Sequence, residues 1–263
     1  MPANYKNWVP LGMIYGFAAT TAALGAAAFA VDKLGGALPT KVRRRVATGL
    51  GLATAAAGAG TAWALSAHAA FSYEGSRKLA KQIVEGTAER VTLPEGGTCL
   101  DVGCGSGALA IAVAKRNPQA HVVGIDRWGA EYASFSKGLC ESNAQAEGVT
   151  NVTFQQGDAC HLDFPDETFD AVASNYVYHN VTGANKQELL RETLRTLKKG
   201  GTFAIHDIMS PQRYGDMGAF CASLRTEGYH RVRLIPTDDG LFMGKVEGTL
   251  LGLTGSTLLV GTK

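Results

Sequence analysis

The sequence predicts an α/β fold with an open, mainly parallel sheet, preceded by a hairpin of two apolar helices. Three observations carry this. Residues 98–102 form a short apolar stretch that breaks into a turn holding Gly103, Gly105 and Gly107. A helical run from Ala108 and a second apolar stretch ending on Asp126 follow, which makes one βαβ unit. Further short apolar runs at 151–156, 169–175 and 202–205 succeed one another with loops or helical segments between them, as in a parallel sheet. At the other end of the chain, no charged residue occurs over residues 9–31 or over 46–71.

Bulk composition narrows the field. The 263 residues suffice for one α/β domain plus an accessory segment, and the expected boundary divides residues 1–72 from 73–263. A net charge of +2, with no basic stripe interleaved with aromatics, argues against nucleic acid as a partner. The five cysteines (Cys99, Cys104, Cys140, Cys160 and Cys221) show no C-x-x-C spacing and no clustered histidines. They read as reduced thiols of a cytosolic compartment, not as a disulfide framework or a metal site.

Each uncharged run exceeds the roughly 20 residues a helix needs to cross a bilayer. Gly12 and Gly16 form a G-x-x-x-G pair and Ala and Gly dominate both runs, so the helices are expected to pack closely, and to be able to pair with a second copy. Tyr5 and Trp8 suit a membrane interface. The connection over 32–45 sets Lys33, Lys41, Arg43, Arg44 and Arg45 against one acid. By the positive-inside rule that loop belongs in the cytoplasm, which conflicts with a cytoplasmic downstream domain on a two-span hairpin. Three arrangements stay open: a spanning hairpin with its basic loop outside, a hairpin entering one leaflet with its arginines on cytoplasmic headgroups, or one packed on another protein. In each, the protein is expected at the cell membrane with its downstream domain in the cytoplasm. Ala28 and Ala30 around Phe29 also fit a signal-peptidase site, but secretion would place unpaired thiols outside the cell.

Residues 73–91 carry Leu79, Ile83, Val84 and Ala88 at helical spacing. The glycines at 103, 105 and 107 let the backbone turn tightly and approach a ligand more closely than a Cβ permits. The helix that follows offers free N–H groups to a carboxylate. Gly103, Gly105 and Ala108 fit the dinucleotide fingerprint, with Asp126 where its ribose carboxylate belongs. Three features point elsewhere: Asp101 inside the strand, Gly107 as an added close-approach position, and a second Gly-Asp pair, Gly157 and Asp158, after the next strand.

With those residues the sequence from about Tyr73 to Lys263 resembles the class I S-adenosylmethionine (SAM) dependent methyltransferases, whose first motif is acidic-x-G-x-G-x-G. The resemblance implies a Rossmann-like seven-stranded sheet with an antiparallel last strand, and SAM as the cofactor. It implies that the methionine part lies against Gly103, Cys104, Gly105 and Gly107, with Asp101 bonding its amino end. Asp126 would accept both ribose hydroxyls, with Arg127 beside it, and Asp158 would take the adenine amine while Gly157 and Ala159 approach through backbone. Asp126 could instead cap a helix before Trp128, and Trp128 either stacks on adenine or packs in the core.

After the run 169–175, methylases of amino groups in nucleic acids carry (Asp/Asn/Ser)-Pro-Pro-aromatic. Here Ser174, Asn175, Tyr176, Val177, Tyr178 and His179 include no proline. This is closer to small-molecule methylases such as the ubiquinone and menaquinone C-methyltransferases, which carry a histidine pair there, although Tyr178 stands where the first would be. The resemblance sets Asn175 and Tyr176 beside the methyl group and His179 toward the acceptor, where it can take an acidic proton. A satisfied core or capping histidine is the alternative. His206 and Asp207, at the C-terminal edge of the run 202–205, form a second acceptor-contact pair, because ligands of open sheets bind beyond those edges.

The remaining pattern predicts helices at 185–198, ended by Gly200 and Gly201, and at 214–227, with strands at 231–235 and 256–260. Asp170 reads as a structural anchor. Residues 237–243 read as a flexible, partly apolar insert able to close over an oily substrate or meet a membrane. The implied function is SAM-dependent methyl transfer to a small, lipophilic acceptor at a membrane surface. An NAD-dependent oxidoreductase and a non-catalytic SAM-binding scaffold or sensor are the rivals.

Overall fold

The computed structural model describes residues 2–129 and 134–263. The chain packs as two compact units: one runs over 7–80, and the other joins residues 2–6 to 81–263.

The first unit is a helical hairpin, α1 (Leu11–Leu34) and α2 (Thr40–Phe71). The helices meet through small residues. Thr21 and Thr61 share a hydroxyl hydrogen bond of 3.2 Å, and a Cβ on Gly25 or Gly58 would sit within 3.7 Å of the methyl of Thr54 or Thr21. A Cβ on Gly12 or Gly16, expected to make the close approach, would meet no atom of α2 within 4 Å; the packing stripe is instead Phe17, Thr21 and Gly25. The base of the hairpin is pinned. Asn7 Nδ2 donates to the His68 carbonyl at 2.8 Å, His68 Nδ1 donates to the Val9 carbonyl at 2.7 Å, and the Trp8 and Phe71 rings lie 4.9 Å apart. Among the described residues, α1 is the one helix long and apolar enough to cross a membrane, with mean hydropathy 1.6 over 18 residues. The run over 46–71 is helical as expected, but its threonines, glycines, Ser66 and His68 dilute its apolarity below that level.

The second unit is built on a seven-stranded sheet. Its strands are β1 (Thr98–Val102), β2 (His121–Asp126), β3 (Val152–Gln156), β4 (Phe169–Asn175), β5 (Leu197–Ile208), β6 (His230–Pro236) and β7 (Ser256–Thr262). The order is β3-β2-β1-β4-β5-β7-β6, parallel through β5, with β7 antiparallel to both its neighbours. The helices are α3 (Leu79–Ala88), α4 (Ala108–Arg116), α5 (Lys137–Ala146), α6 (Lys186–Arg195), α7 (Pro211–Tyr214), α8 (Met217–Thr226) and α9 (Lys245–Leu250). Alternate strand residues serve opposite layers. Leu100, Val102, Phe203 and Ile205 join α6 and α8 on one face, while Cys99, Ala171, Ala173 and Ala204 join α4 on the other. Strand order reverses between β1 and β4, so the crevice at their C-terminal ends is where such a sheet takes its ligand.

Four local expectations change. The helix expected over 73–91 is confined to α3. Helix α6 stops at Arg195, because Thr196 accepts from Thr168 and Phe169 and the chain beyond it is already paired in β5. The helix expected over 214–227 breaks at Gly215, whose φ is 69°, and Asp216 caps the new start by accepting from Ala219. Residues 237–243 are tied down: Phe242 and Met243 donate to the Thr237 carbonyl, and Thr237 and Met243 are buried. Asp170 is the anchor expected, accepting from Thr98 N–H at 2.8 Å and pairing with Lys198 at 2.9 Å.

Candidate functional site

The crevice is lined first by the turn between β1 and α4. Gly103, Gly105 and Gly107 have φ values of 73°, 55° and 82°, where a side chain is strained. They differ in surroundings. A Cβ on Gly103 would strike the Val177 side chain at 2.4 Å, and one on Gly107 would press on Phe154 and Cys140, whereas one on Gly105 meets nothing within 4 Å. Gly105 is therefore the point where the backbone faces open space. Asp101, one strand residue inward, is 1% exposed and its Oδ2 has no hydrogen-bond partner. Burial pushes its carboxyl up to about 7; the Ala110 N–H pulls it down and the charge of Asp126 pushes it up again.

Asp126 ends β2 and holds the turn with both oxygens. Oδ2 accepts from Gly105 N–H at 2.9 Å and Oδ1 from Trp128 N–H at 2.8 Å. Each oxygen keeps a lone pair, so the carboxylate can still accept from a vicinal diol. Trp128, at φ 44°, turns its indole back to donate to the Gly105 carbonyl at 3.0 Å. Its ring thus packs on the glycine turn. At the ends of β2 and β3, Arg127 Nη1 stands 4.0 Å from Asp158 Oδ2, and Asp158 Oδ1 accepts from Cys160 N–H at 2.8 Å. Gly157 N–H donates to the Asp126 carbonyl, and Ala159 packs against the core. Gln156, Gly157, Asp158 and Arg127 help line a cleft of about 550 Å³.

These residues fit SAM. The orphan oxygen of Asp101 can take an ammonium, the open side of Gly105 admits a close approach, and Asp126 has acceptors for a ribose. The cleft at the ends of β2 and β3 offers the Asp158 carboxylate to a heterocyclic amine. Cys104 contributes its backbone to the turn, while its thiol is buried and burial pushes it well up.

On the other side of the crevice, β4 and β5 bring four sequence-expected residues together, in two pairs of unlike character. His179, half-buried on a single 3-10 turn (Tyr178–Asn180), has its Nδ1 2.5 Å from Asp207 Oδ1, and its N–H donates to Asp207 Oδ2 at 3.1 Å. Asp207 is fully buried and also accepts from Ile208 N–H at 2.7 Å. Burial pushes its carboxyl up, but the bond and charge of His179 outweigh this and hold it below the usual range. The second pair is closed off. His206 is fully buried, its Nδ1 donating to Asn175 Oδ1 and its Nε2 accepting from Thr237 Oγ1, both at 2.8 Å. Burial pulls its imidazole down to about 3, with Asp207 opposing and Arg90 reinforcing. With both nitrogens engaged, His206 positions Asn175 and does not itself meet an acceptor, which separates it from Asp207.

Tyr176 has φ 56°, donates N–H to the His206 carbonyl at 2.8 Å, and directs its phenol to Ser256 Oγ at 2.6 Å. Its ring lies 4.6 Å from that of His206 and 5.9 Å from that of His179. Tyr178 is a core residue bonded to Thr193 at 2.6 Å. Sequence reasoning missed Thr237, Ser256 and Tyr214, the last buried beside Asp207. It also missed α5, whose Cys140 Sγ donates to the Gly105 carbonyl at 3.2 Å. Each arrives from a distant segment with no motif of its own.

Comparison with known proteins agrees with this geometry. Residues 93–229, more than half of the chain, match the family described as Methyltransferase domain. The uncharacterized methyltransferase YcgJ of Bacillus subtilis is 36% identical over 113 residues, 43% of this chain and 41% of that protein. A demethylmenaquinone methyltransferase of Lactobacillus johnsonii is 32% identical over 124 residues, 47% and 48%. The chain thus spans about half the length of the curated relatives it matches. Among solved structures, the cyclase SpnF superposes with a TM-score of 0.52 at 20% identity, over 71% of this chain and 82% of that one. Geranyl diphosphate methyltransferase gives 0.52 at 14%, over 72% and 79%. With its seven strands in the order described and its glycine turn flanked by two acids, the chain belongs to the methyltransferase-domain family and carries the fold of the SAM-dependent methyltransferases.

Proposed function

We propose that the protein transfers a methyl group from SAM to a small, lipophilic acceptor carrying an acidic C–H, O–H or S–H, at a membrane surface with the sheet unit in the cytoplasm. The observation that carries this reading is the His179–Asp207 pair at the C-terminal edge of β4 and β5. SAM, when bound, supplies an electrophilic methyl on a sulfonium centre. The chain's part is to bind, align and deprotonate. Asp101, Asp126 and the open side of Gly105 hold the donor, and Asp158 reads its heterocycle. Asp207, ionised and buried, takes the His179 Nδ1–H and so fixes the tautomer that leaves Nε2 free to accept a proton. The acceptor must lose that proton as it gains the methyl, and Nε2 is where it goes.

Lipophilicity is supported by α1, long and apolar enough to reach a bilayer. It is supported also by the names of relatives that point to quinone-type acceptors, demethylmenaquinone methyltransferase and 2-phytyl-1,4-naphtoquinone methyltransferase. The test uses the full chain, methyl-labelled SAM and membranes of the source cell, followed by organic extraction. We expect label in the organic phase, absent with Asp126→Ala and lowered roughly 10²–10⁴-fold with His179→Ala. Label confined to the aqueous phase would overturn the lipophilic acceptor, and a His179→Ala rate equal to that of the unaltered chain would overturn the base.

A further inference from the structure

The glycine turn has a support from an unexpected quarter. Residues 2–6 lie against it and are knitted to it by a closed set of hydrogen bonds. Asn4 N–H donates to Asn143 Oδ1 at 2.7 Å, and Asn143 Nδ2 donates back to the Asn4 carbonyl at 3.1 Å. The second Nδ2 hydrogen goes to the Ser106 carbonyl at 2.9 Å, and Ser106 Oγ donates to the Tyr5 carbonyl at 3.0 Å. Asn143, on α5, is 2% exposed and Ser106 is 6% exposed. The Tyr5 ring packs on the cluster that holds Cys104 and Cys140.

A turn with three glycines among residues 103–107 has much backbone freedom to lose, and each bond that fixes it beforehand improves what it can bind. Asp126, Trp128 and Cys140 fix Gly105. Ser106, the next residue, is fixed by Asn143 through its carbonyl and by residue 5 through its hydroxyl. No binding motif lies in residues 2–6; what they supply is backbone, the Tyr5 carbonyl to the Ser106 hydroxyl and the Asn4 amide and carbonyl to the Asn143 side chain that also holds the Ser106 carbonyl.

We propose that residues 2–6 are a strap that preorganises the cofactor turn, with Asn143 as the positioning residue through which the strap acts. This rests on the reading of the turn as the SAM site. Binding of the cofactor and docking of the strap then favour each other by one common factor.

The experiment uses the full-length chain, a variant lacking residues 2–5, and Ser106→Ala, which keeps the strap and deletes one bond. SAM affinity is measured by titration calorimetry, with turnover at saturating SAM followed for the shortened variant. Release of the N-terminal peptide by trypsin cleavage after Lys6 is measured with and without SAM. We expect SAM Kd to rise about tenfold without residues 2–5 and about threefold in Ser106→Ala. Turnover at saturating SAM should be unchanged in the shortened variant, and cleavage after Lys6 should slow as SAM saturates. A shortened variant that binds SAM within twofold of the unaltered chain overturns the proposal, as does cleavage indifferent to SAM. If the unaltered chain itself fails to bind SAM, the reading of the site falls first and the strap with it.

Discussion

Asp101 is a carboxyl that the folded chain holds at a cost. Its value of about 7, against 3.8 for the free side chain, means that the native state binds more protons than the unfolded one between those limits. Its contribution to stability therefore falls as pH rises from about 4 to 7. His206 works in the opposite sense: with its imidazole near 3 against 6.5 unfolded, it makes stability rise over pH 3 to 6.5. Integrated over its pH range, either contribution has a ceiling of about 4–5 kcal/mol, and over pH 4–6.5 the two offset. Thermal melting should accordingly vary little with pH in the unaltered chain. In Asp101→Asn it should climb over pH 4–6.5, and in His206→Gln it should fall over pH 4–7. The same pair gives a binding prediction. An ammonium needs Asp101 ionised, so SAM affinity measured calorimetrically should weaken up to tenfold for each pH unit below 7. Asp101→Asn should melt several degrees higher at pH 7.5 yet lose SAM-induced stabilisation; a lower melting temperature there would show that the carboxyl is not held at a cost.

Among the elements, the glycine turn separates folding from binding. Gly103→Ala adds a Cβ 2.4 Å from Val177 at a positive φ, and insoluble or strongly destabilised protein is expected. Gly105→Ala carries the backbone strain alone, about 1–2 kcal/mol, with no neighbour to strike. It should fold, melt a few degrees lower, and bind SAM at least tenfold more weakly. Equal SAM affinity would remove Gly105 from the site. The strands and this turn were legible beforehand because their signals are local: five-residue apolar runs, glycines at fixed spacing, acids at strand ends. What escaped notice lacks that locality. Helix α5 buries Cys140, Asn143 and Ala144, a small and partly polar face with no apolar period. The break at Gly215 competes with a continuous helical pattern and wins because Asp216 caps a fresh start. His179 and Asp207 were each visible as candidates, but their bond joins residues 28 positions apart. Sequence instead paired Asp207 with its neighbour His206, whose side chain alternation sends to other partners.

For the whole molecule, the question is what the hairpin does. An aspartate near the middle of α1 costs about 3 kcal/mol of membrane insertion, and Ala22 is exposed there and so free of the packing with α2. Ala22→Asp should move the protein from the carbonate-washed membrane pellet to the supernatant with SAM affinity retained; continued pelleting would rule out α1 as the anchor. The hairpin was readable from its uncharged runs, but its contact stripe was not. Glycine spacing marks where helices are able to approach, not which face they use; the face in contact carries Thr21, bonded to Thr61, and Gly25.

The pinned base of the hairpin bears on how the chain assembles. Residues 7–80 are an insertion between two parts of one folding unit. Were that insertion slack, bringing residues 2–6 home would close a long loop, with an entropic cost of about 4 kcal/mol from its length alone. The bonds from Asn7 and Val9 to His68 shorten the loop to the few residues beyond Phe71, which lowers the cost by about 2 kcal/mol. The hairpin forms from contacts between its own helices and draws its own ends together, so on the strap proposal the docking of residues 2–6 costs less than it would from a slack loop.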